Sequence, residues 1–324
     1  MLTAQQIFTK TMPFVWAKFL LGLATFVLAI LLFALLMGIG WLFNSERVFG
    51  IMFFAWLACV GAIQFFLNHY LGYLVKAGHI AVITELVTGG ELPEKQLEYG
   101  KERVKERFAT SNVYFVLDKL VTGAVKQIQR GIERAGNTLD FVPGMKTVTG
   151  LLKFFVDIFL GYIDECCLGY TFYKKDQNAF KSAADGVAIY AQNWKLLLKD
   201  AAQTMCVVIA ALIVATLVAF VIIGVPFRML GWNGTVAFVL ACFLAWAVKT
   251  AFIDSYILIR MMTSYMGAAP STILNFDLYK QLCALSSKFK ELLQQAKAEM
   301  TAPAGTNDTE PADAFPEEAR HTRE

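Results

Sequence analysis

The sequence predicts an all-α, polytopic helical membrane protein. Three observations point there. Apolar residues make up 57% of the 324 residues and charged ones only 17%, where soluble domains carry about 25% charge. The apolar residues gather into runs long enough to cross a ~30 Å hydrocarbon core, which takes about 20 residues of helix. The bases cluster between those runs on one side. This composition excludes an ordinary cytosolic enzyme, a disordered chain and a disulfide-stapled secreted module. The six cysteines lie mostly inside apolar runs and read as reduced packing residues.

In chain order, the first ten residues hold Lys10 but no short apolar segment with a small-residue cleavage site, so no leader is expected to be removed. Spans are expected at about 12–43 and 48–75. Gly89-Gly90 and Pro93 then break the chain, and Glu94 to Phe108 alternates acids and bases as a solvated helix does. Two segments are ambiguous. Residues 148–172 are long and apolar but carry Lys153, Asp157, Asp164 and Glu165, and residues 111–134 carry Asp118, Lys119, Lys126 and Arg130. Together they form a helical hairpin. With both inserted the protein has six transmembrane helices, and with neither it has four plus a cytosolic layer.

The last two spans, about 201–225 and 234–259, form a hairpin in which Pro226 is expected to end the first helix. Residues 177–199 and 275–300 place apolar side chains at three- and four-residue intervals and read as amphipathic helices on the cytosolic face. Residues 1–300 therefore read as one helical membrane domain. Residues 301–324 hold six acids and two bases among Pro, Ala and Thr and read as a disordered acidic tail.

Charge sets the orientation. Lys76 and the bases from Lys95 to Arg107 follow the second span, and others flank the final hairpin. The short turns at 44–47 and 227–233 hold only Arg47 and Arg228. The positive-inside rule then puts both termini in the cytoplasm of a plasma or inner membrane and requires an even number of spans. The basic excess is too dispersed for a nucleic-acid platform.

Ionisable side chains at membrane depth are the first place to look for function. Asp157, Asp164 and Glu165 are seven and eight residues apart and share one helix face, a stripe that can line a cation pathway. The alternatives are pairing with Lys119, Lys126 or Arg130, or exposure to water at a helix end. Lys249 and Asp254 are five residues apart and, on a regular α-helix, point about 140° apart, which predicts no pair between them. Tyr162, Tyr170, Trp56 and Trp246 are candidates for an aromatic cage, which holds quaternary ammonium groups by cation–π attraction. Belts of Trp and Tyr at membrane interfaces look the same in sequence.

His69 and His79 are ten residues apart with no grouped ligands, so no metal site is expected. Hydrolase and phosphate-loop motifs do not occur. Asp185-Gly186 matches the opening of a phospholipid-alcohol transferase motif but lacks the arginine and second aspartate that continue it. No enzyme and no cofactor are expected.

The order of features resembles the C-terminal half of choline transporter-like membrane proteins. Residues 56–82, WLACVGAIQFFLNHYLGYLVKAGHIAV, are similar to that family's aromatic, glutamine-containing helix. Residues 160–186, LGYIDECCLGYTFYKKDQNAFKSAADG, resemble its late aromatic helix, lysine-containing turn and short Ser-Ala helix. Asp254-Ser255-Tyr256-Ile257-Leu258 resembles its last helix, although Met261-Met262-Thr263-Ser264 stands where the family has an acidic segment. The resemblance implies that both ambiguous helices insert and that the substrate is choline or a related organic cation. The expectation is a six-span carrier or sensor of a small organic cation, embedded in the lipid bilayer. The alternatives are a non-transporting scaffold built as a homo-oligomer and an ion channel lined by the acid stripe.

Overall fold

A computed structural model describes residues 2–67, 71–108, 111–134, 149–229, 231 and 234–301, and over these the protein is helical throughout. The acidic tail expected at 301–324 lies, after Thr301, outside the described residues. Four helical stretches among the described residues are long and apolar enough to cross a membrane: Met12–Leu42, Glu46–Leu67, Val208–Met229 and Leu240–Ser271. They correspond to four of the six expected spans. The segments at 111–134 and 148–172 are not among them.

Helix α1 (Ala4–Lys10) starts at a capping box in which Thr3 accepts from Gln6 N and the Gln6 side chain accepts from Thr3 N. Pro13 sits in the first turn of α2 (Met12–Leu42), where the N–H it lacks would have had no helical partner. A turn through Asn44, at φ +44°, leads into α3 (Glu46–Leu67). These two helices turn mostly bare apolar side chains outward. Only 11% of each apolar window is buried in protein, which suits contact with lipid.

The rest of the chain builds a second, differently made region. Helix α4 (Tyr73–Val87) is buried along nearly its whole length, from Ala77 to Val87. Gly89, at φ +88°, ends it, and α5 (Gln96–Phe108) folds back against it. The two helices cross where Gly78 meets Gly100. A Cβ on Gly100 would lie 2.9 Å from the Gly78 carbonyl oxygen, so only glycine permits this approach.

At the far end of α5, Arg107 donates to the carbonyls of Gln177 (2.9 Å) and Lys174 (2.9 Å) and to Ser182 Oγ (2.7 Å). It thereby ties α5 to the turn between α7 (Thr149–Tyr173) and α8 (Ala179–Met229). Helix α6 (Ser111–Arg134) buries Leu117, Leu120, Val121, Val125 and Ile128 and exposes Lys119, Lys126 and Arg130. The described residues of α7 are enclosed as well, including Ile163, Cys166, Cys167 and Leu168.

Helix α8 runs 51 residues, and its first part belongs to this region while its last 22 form the third span. Pro226 does not end it: the helix continues through the proline to Met229. Proline removes one backbone donor and crowds the carbonyl four residues earlier, and at the last turn few bonds remain to be lost. After α9 (Gly234–Val248), the segment Lys249–Ile253 widens into a π-helix before α10 (Asp254–Ala268) re-enters the packed region. There the Tyr265 hydroxyl donates to the Gly186 carbonyl at 2.7 Å.

Short helices α11 (Phe276–Leu285) and α12 (Ser287–Thr301) close the region. Gln127 of α6 accepts from Ser286 Oγ (2.7 Å) and Lys288 N (3.1 Å), and Asn178 donates to Ala296 O (2.8 Å). One continuous hydrophobic core links α1, α4–α7, the start of α8, α10 and α12. Among the described residues five cysteines are free, with Cys166 and Cys167 fully buried and Cys59 and Cys242 exposed.

Candidate functional site

The spans and the packed helical body meet around a crevice of about 1260 Å³. Its floor runs along apolar side chains of α2, α3 and α9, among them Phe26, Val60 and Phe243. Its mouth is ionic, lined by Lys18, Lys76, Asp118, Glu165, Lys249 and Asp254.

Two of the acids are neutralised within the site. Glu165 holds Lys76 at 2.8 Å, and Asp254 holds Lys249 at 2.9 Å. The second pair overturns the expectation from helical spacing. A regular α-helix separates residues five apart, but Lys249–Ile253 winds as a π-helix, with Asp254 N bonded to Lys249 O. That winding brings position i+5 over position i. The other Asp254 oxygen accepts from the Tyr162 hydroxyl at 2.7 Å, which fixes α7 against α10.

Two charges at the mouth have no charged partner. Lys18 Nζ lies 3.0 Å from His79 Nδ1 and 3.0 Å from Ser255 Oγ. Both are neutral acceptors when the lysine is an ammonium, and no carboxylate lies within 4.0 Å of it among the described residues. His79 is fully buried and stacks on Phe14 with ring centres 5.1 Å apart, and its Nε2 has no partner among the described residues. Asp118, half-buried on α6, likewise has no base within 4.0 Å among the described residues. Burial pushes its carboxyl above the ordinary range, and the charges of Lys76 and Lys119 oppose that rise. One turn before Asp118 on the same face is Tyr114, in a cluster with Tyr73 (5.5 Å) and Phe115 (5.9 Å).

The structure brings together some of the residues singled out by sequence and separates others. Tyr162, Glu165 and Trp246 all line the crevice. Trp246 is 58% exposed, with the Lys249 ammonium 5.1 Å above its ring. Asp164 does not line it. Its carboxylate accepts from Thr122 Oγ1 (2.6 Å) and Glu165 N (2.9 Å) between α6 and α7. Burial pushes its pKa up to about 7 against the opposing charge of Lys76.

Trp56 is buried in a separate cluster. It donates from Nε1 to the Ala29 carbonyl at 2.9 Å and packs on Phe33, Phe53 and Phe243. Tyr170 meets Tyr173 in a tilted contact, with ring centres 5.7 Å apart, and does not line the crevice. The side chain of Asp157 lies outside the described residues.

Sequence reasoning passed over Lys18, which precedes the long apolar run of the first span, and treated Asp118 only as a charge weighing against insertion. A lone lysine on an apolar helix with no carboxylate three or four residues away was the available signal. Among the described residues no group of three His, Cys, Asp or Glu side chains could hold a metal ion. Comparison with protein-family models, curated proteins and solved structures finds no match to the chain.

Proposed function

We propose that this is a four-span integral membrane protein that binds and moves a small organic ammonium compound of the choline type through the crevice. Its helical body and both termini would lie in the cytoplasm. The observation that carries the reading is Asp118, a half-buried carboxylate in the crevice wall with no base within 4.0 Å among the described residues. Tyr114 is one turn away, and Tyr73 and Phe115 are beside it. A carboxylate that lines a crevice together with aromatic rings is an arrangement that attracts a quaternary ammonium, by Coulomb attraction and by the negative faces of the rings. Glu165 and Asp254 are already held by lysines, so among the described crevice residues Asp118 is the acid left to act as counter-ion.

Four spans are favoured by the contrast between outer and inner helices. Three of the four apolar stretches bury only 11% of their apolar length in protein, and the fourth, which enters the packed region through α10, buries 44%. Helix α6 instead buries one face and turns lysines and Arg130 out, and its covering partner α12 carries Lys288, Lys290 and Lys297. A helix dressed in that way suits water better than hydrocarbon.

The test is binding and uptake of labelled choline by the purified protein in detergent and in liposomes. Wild type is expected to bind saturably, and Asp118→Asn to weaken binding roughly tenfold or more, as loss of a part-buried charge partner does. Asp254→Asn removes an acid already paired with Lys249 and is expected to weaken it less. No saturable binding by wild type, or equal binding by Asp118→Asn, overturns the reading.

A further inference from the structure

We propose that the crevice holds a zwitterionic phospholipid, with its phosphate on Lys18, its ammonium on Asp118 and an acyl chain along the span helices. This rests on the ammonium reading of Asp118 and adds to it the ligand's negative charge and its tail.

The first argument is charge. With Lys76–Glu165 and Lys249–Asp254 closed as internal pairs, the mouth keeps, among the described residues, one cation and one anion without a charged partner. Lys76 is within electrostatic reach of both Lys18 and Asp118. Such a site is neutral overall and bipolar, and a ligand that matches it carries an ammonium and an anionic group on one frame. Lys18 has a donor to offer. An ammonium carries three N–H groups, and two are directed at His79 Nδ1 and Ser255 Oγ. The third has no acceptor among the described residues and can reach a phosphate oxygen, a charge-assisted bond of the strong kind.

The second argument is length. The crevice follows α2 from Lys18 to Ala29, and at 1.5 Å per residue that is about 16 Å. This is roughly half of the ~30 Å hydrocarbon core, the depth of one leaflet. Beyond the mouth the walls are apolar, from Phe26 and Val60 to Phe243. At about 1260 Å³ the space exceeds the ~300–1,000 Å³ typical of small-molecule pockets. Free choline would leave that apolar length empty, whereas a lipid from the adjoining leaflet fills it.

The experiment compares four probes on the detergent-purified full chain: lysophosphatidylcholine, lysophosphatidylglycerol, choline and inorganic phosphate. Wild type is expected to bind lysophosphatidylcholine at least about tenfold more tightly than any of the others. Lys18→Gln should weaken that binding about tenfold without weakening choline binding, and Lys18→Arg should restore it. If Lys18→Gln binds lysophosphatidylcholine like wild type, or wild type binds choline equally well, the lipid proposal fails while the ammonium site stands. If phosphate alone competes at the affinity of the lipid, Lys18 serves a free anion and the proposal also fails. If lysophosphatidylglycerol binds as tightly and Asp118→Asn changes nothing, the ammonium reading fails with it. Lys18→Arg reports on the site even if Lys18→Gln does not fold.

Discussion

The span hairpins and the helical body are both all-helical, but they are held together by different means. In α2, α3 and the outer part of α8, most side chains face outward, and hydroxyls such as Thr25 and Thr216 bond back to their own helix. Within the body, side-chain bonds run between helices: Arg107 to the α7–α8 turn, Tyr265 to Gly186, Tyr190 to Gln129. Lipid offers a span no hydrophobic gain from helix contact, because tails are as apolar as leucine. A region covered by its own helices gains from burial and is close-packed as a result. The same change should therefore cost little in one half and much in the other.

Glycine to alanine is the sharpest way to break that comparison. At Gly100 a new Cβ meets the Gly78 carbonyl oxygen and Cα at 2.9 Å and Phe14 Cζ at 2.8 Å. Two of these are backbone atoms of a buried helix and cannot rotate aside. Gly100→Ala is expected to destabilise the protein by about 2–3 kcal/mol, read as a lower thermal midpoint in detergent. At Gly38 on α2 nothing lies within 4 Å of the added carbon. Gly38→Ala should be neutral or slightly stabilising, in the direction of helix propensity. Equal losses at the two positions would show that both halves are packed alike.

How much of this was legible in the sequence differs between the halves. The four stretches long and apolar enough to cross a membrane could be read directly, because length and composition alone identify them. Residues 148–172 were ambiguous for a physical reason. Cys166, Cys167 and Leu168 are buried by α4, α8 and α10, and a helix enclosed by protein is as apolar as one enclosed by lipid.

In the site, Glu165, Tyr162 and Trp246 were found because acids and rings stand out in apolar runs. The Lys249–Asp254 pair was missed because its geometry depends on a π-helical turn that residue spacing does not reveal. Lys18 and Asp118 matter for the partners they lack, and that is knowable only once the neighbouring helices are in place.

Asp164 tests the body through its charge. Its carboxyl titrates at about 7 in the folded protein, raised from 3.8 chiefly by burial, and so binds its proton more tightly folded than unfolded. The stability tied to that proton is fully present below about pH 4, falls as pH rises towards 7, and is gone above it. Asp164→Asn keeps an acceptor for Thr122 and removes the buried charge. It should raise the thermal midpoint at pH 8, by an amount equivalent to about 1–2 kcal/mol, and the gain should shrink as pH is lowered to 5. The neighbours that set the slope are Lys76, Glu165 and Asp118. A difference between variant and wild type that does not change with pH would mean that Asp164 is charged and satisfied throughout.

The smallest effect is expected in the span half, at its cross-helix hydrogen bond from Trp56 to Ala29. Trp56 is 4% exposed, and its Nε1 donates across the hairpin at 2.9 Å. By the logic of a soluble core, removing a buried hydrogen bond leaves the other group unpaired and costs 1–3 kcal/mol. In a membrane hairpin the Ala29 carbonyl still accepts from its own helix, and cross-helix bonds in bilayers average only about 0.6 kcal/mol. Trp56→Phe keeps the ring contacts with Phe33, Phe53 and Phe243 and loses only the donor and part of the ring. The expected loss is about 0.5–1 kcal/mol, measured by denaturant titration in mixed micelles. A loss as large as that of Gly100→Ala would place the α2–α3 hairpin in the same packing class as the body and remove the distinction between the two halves.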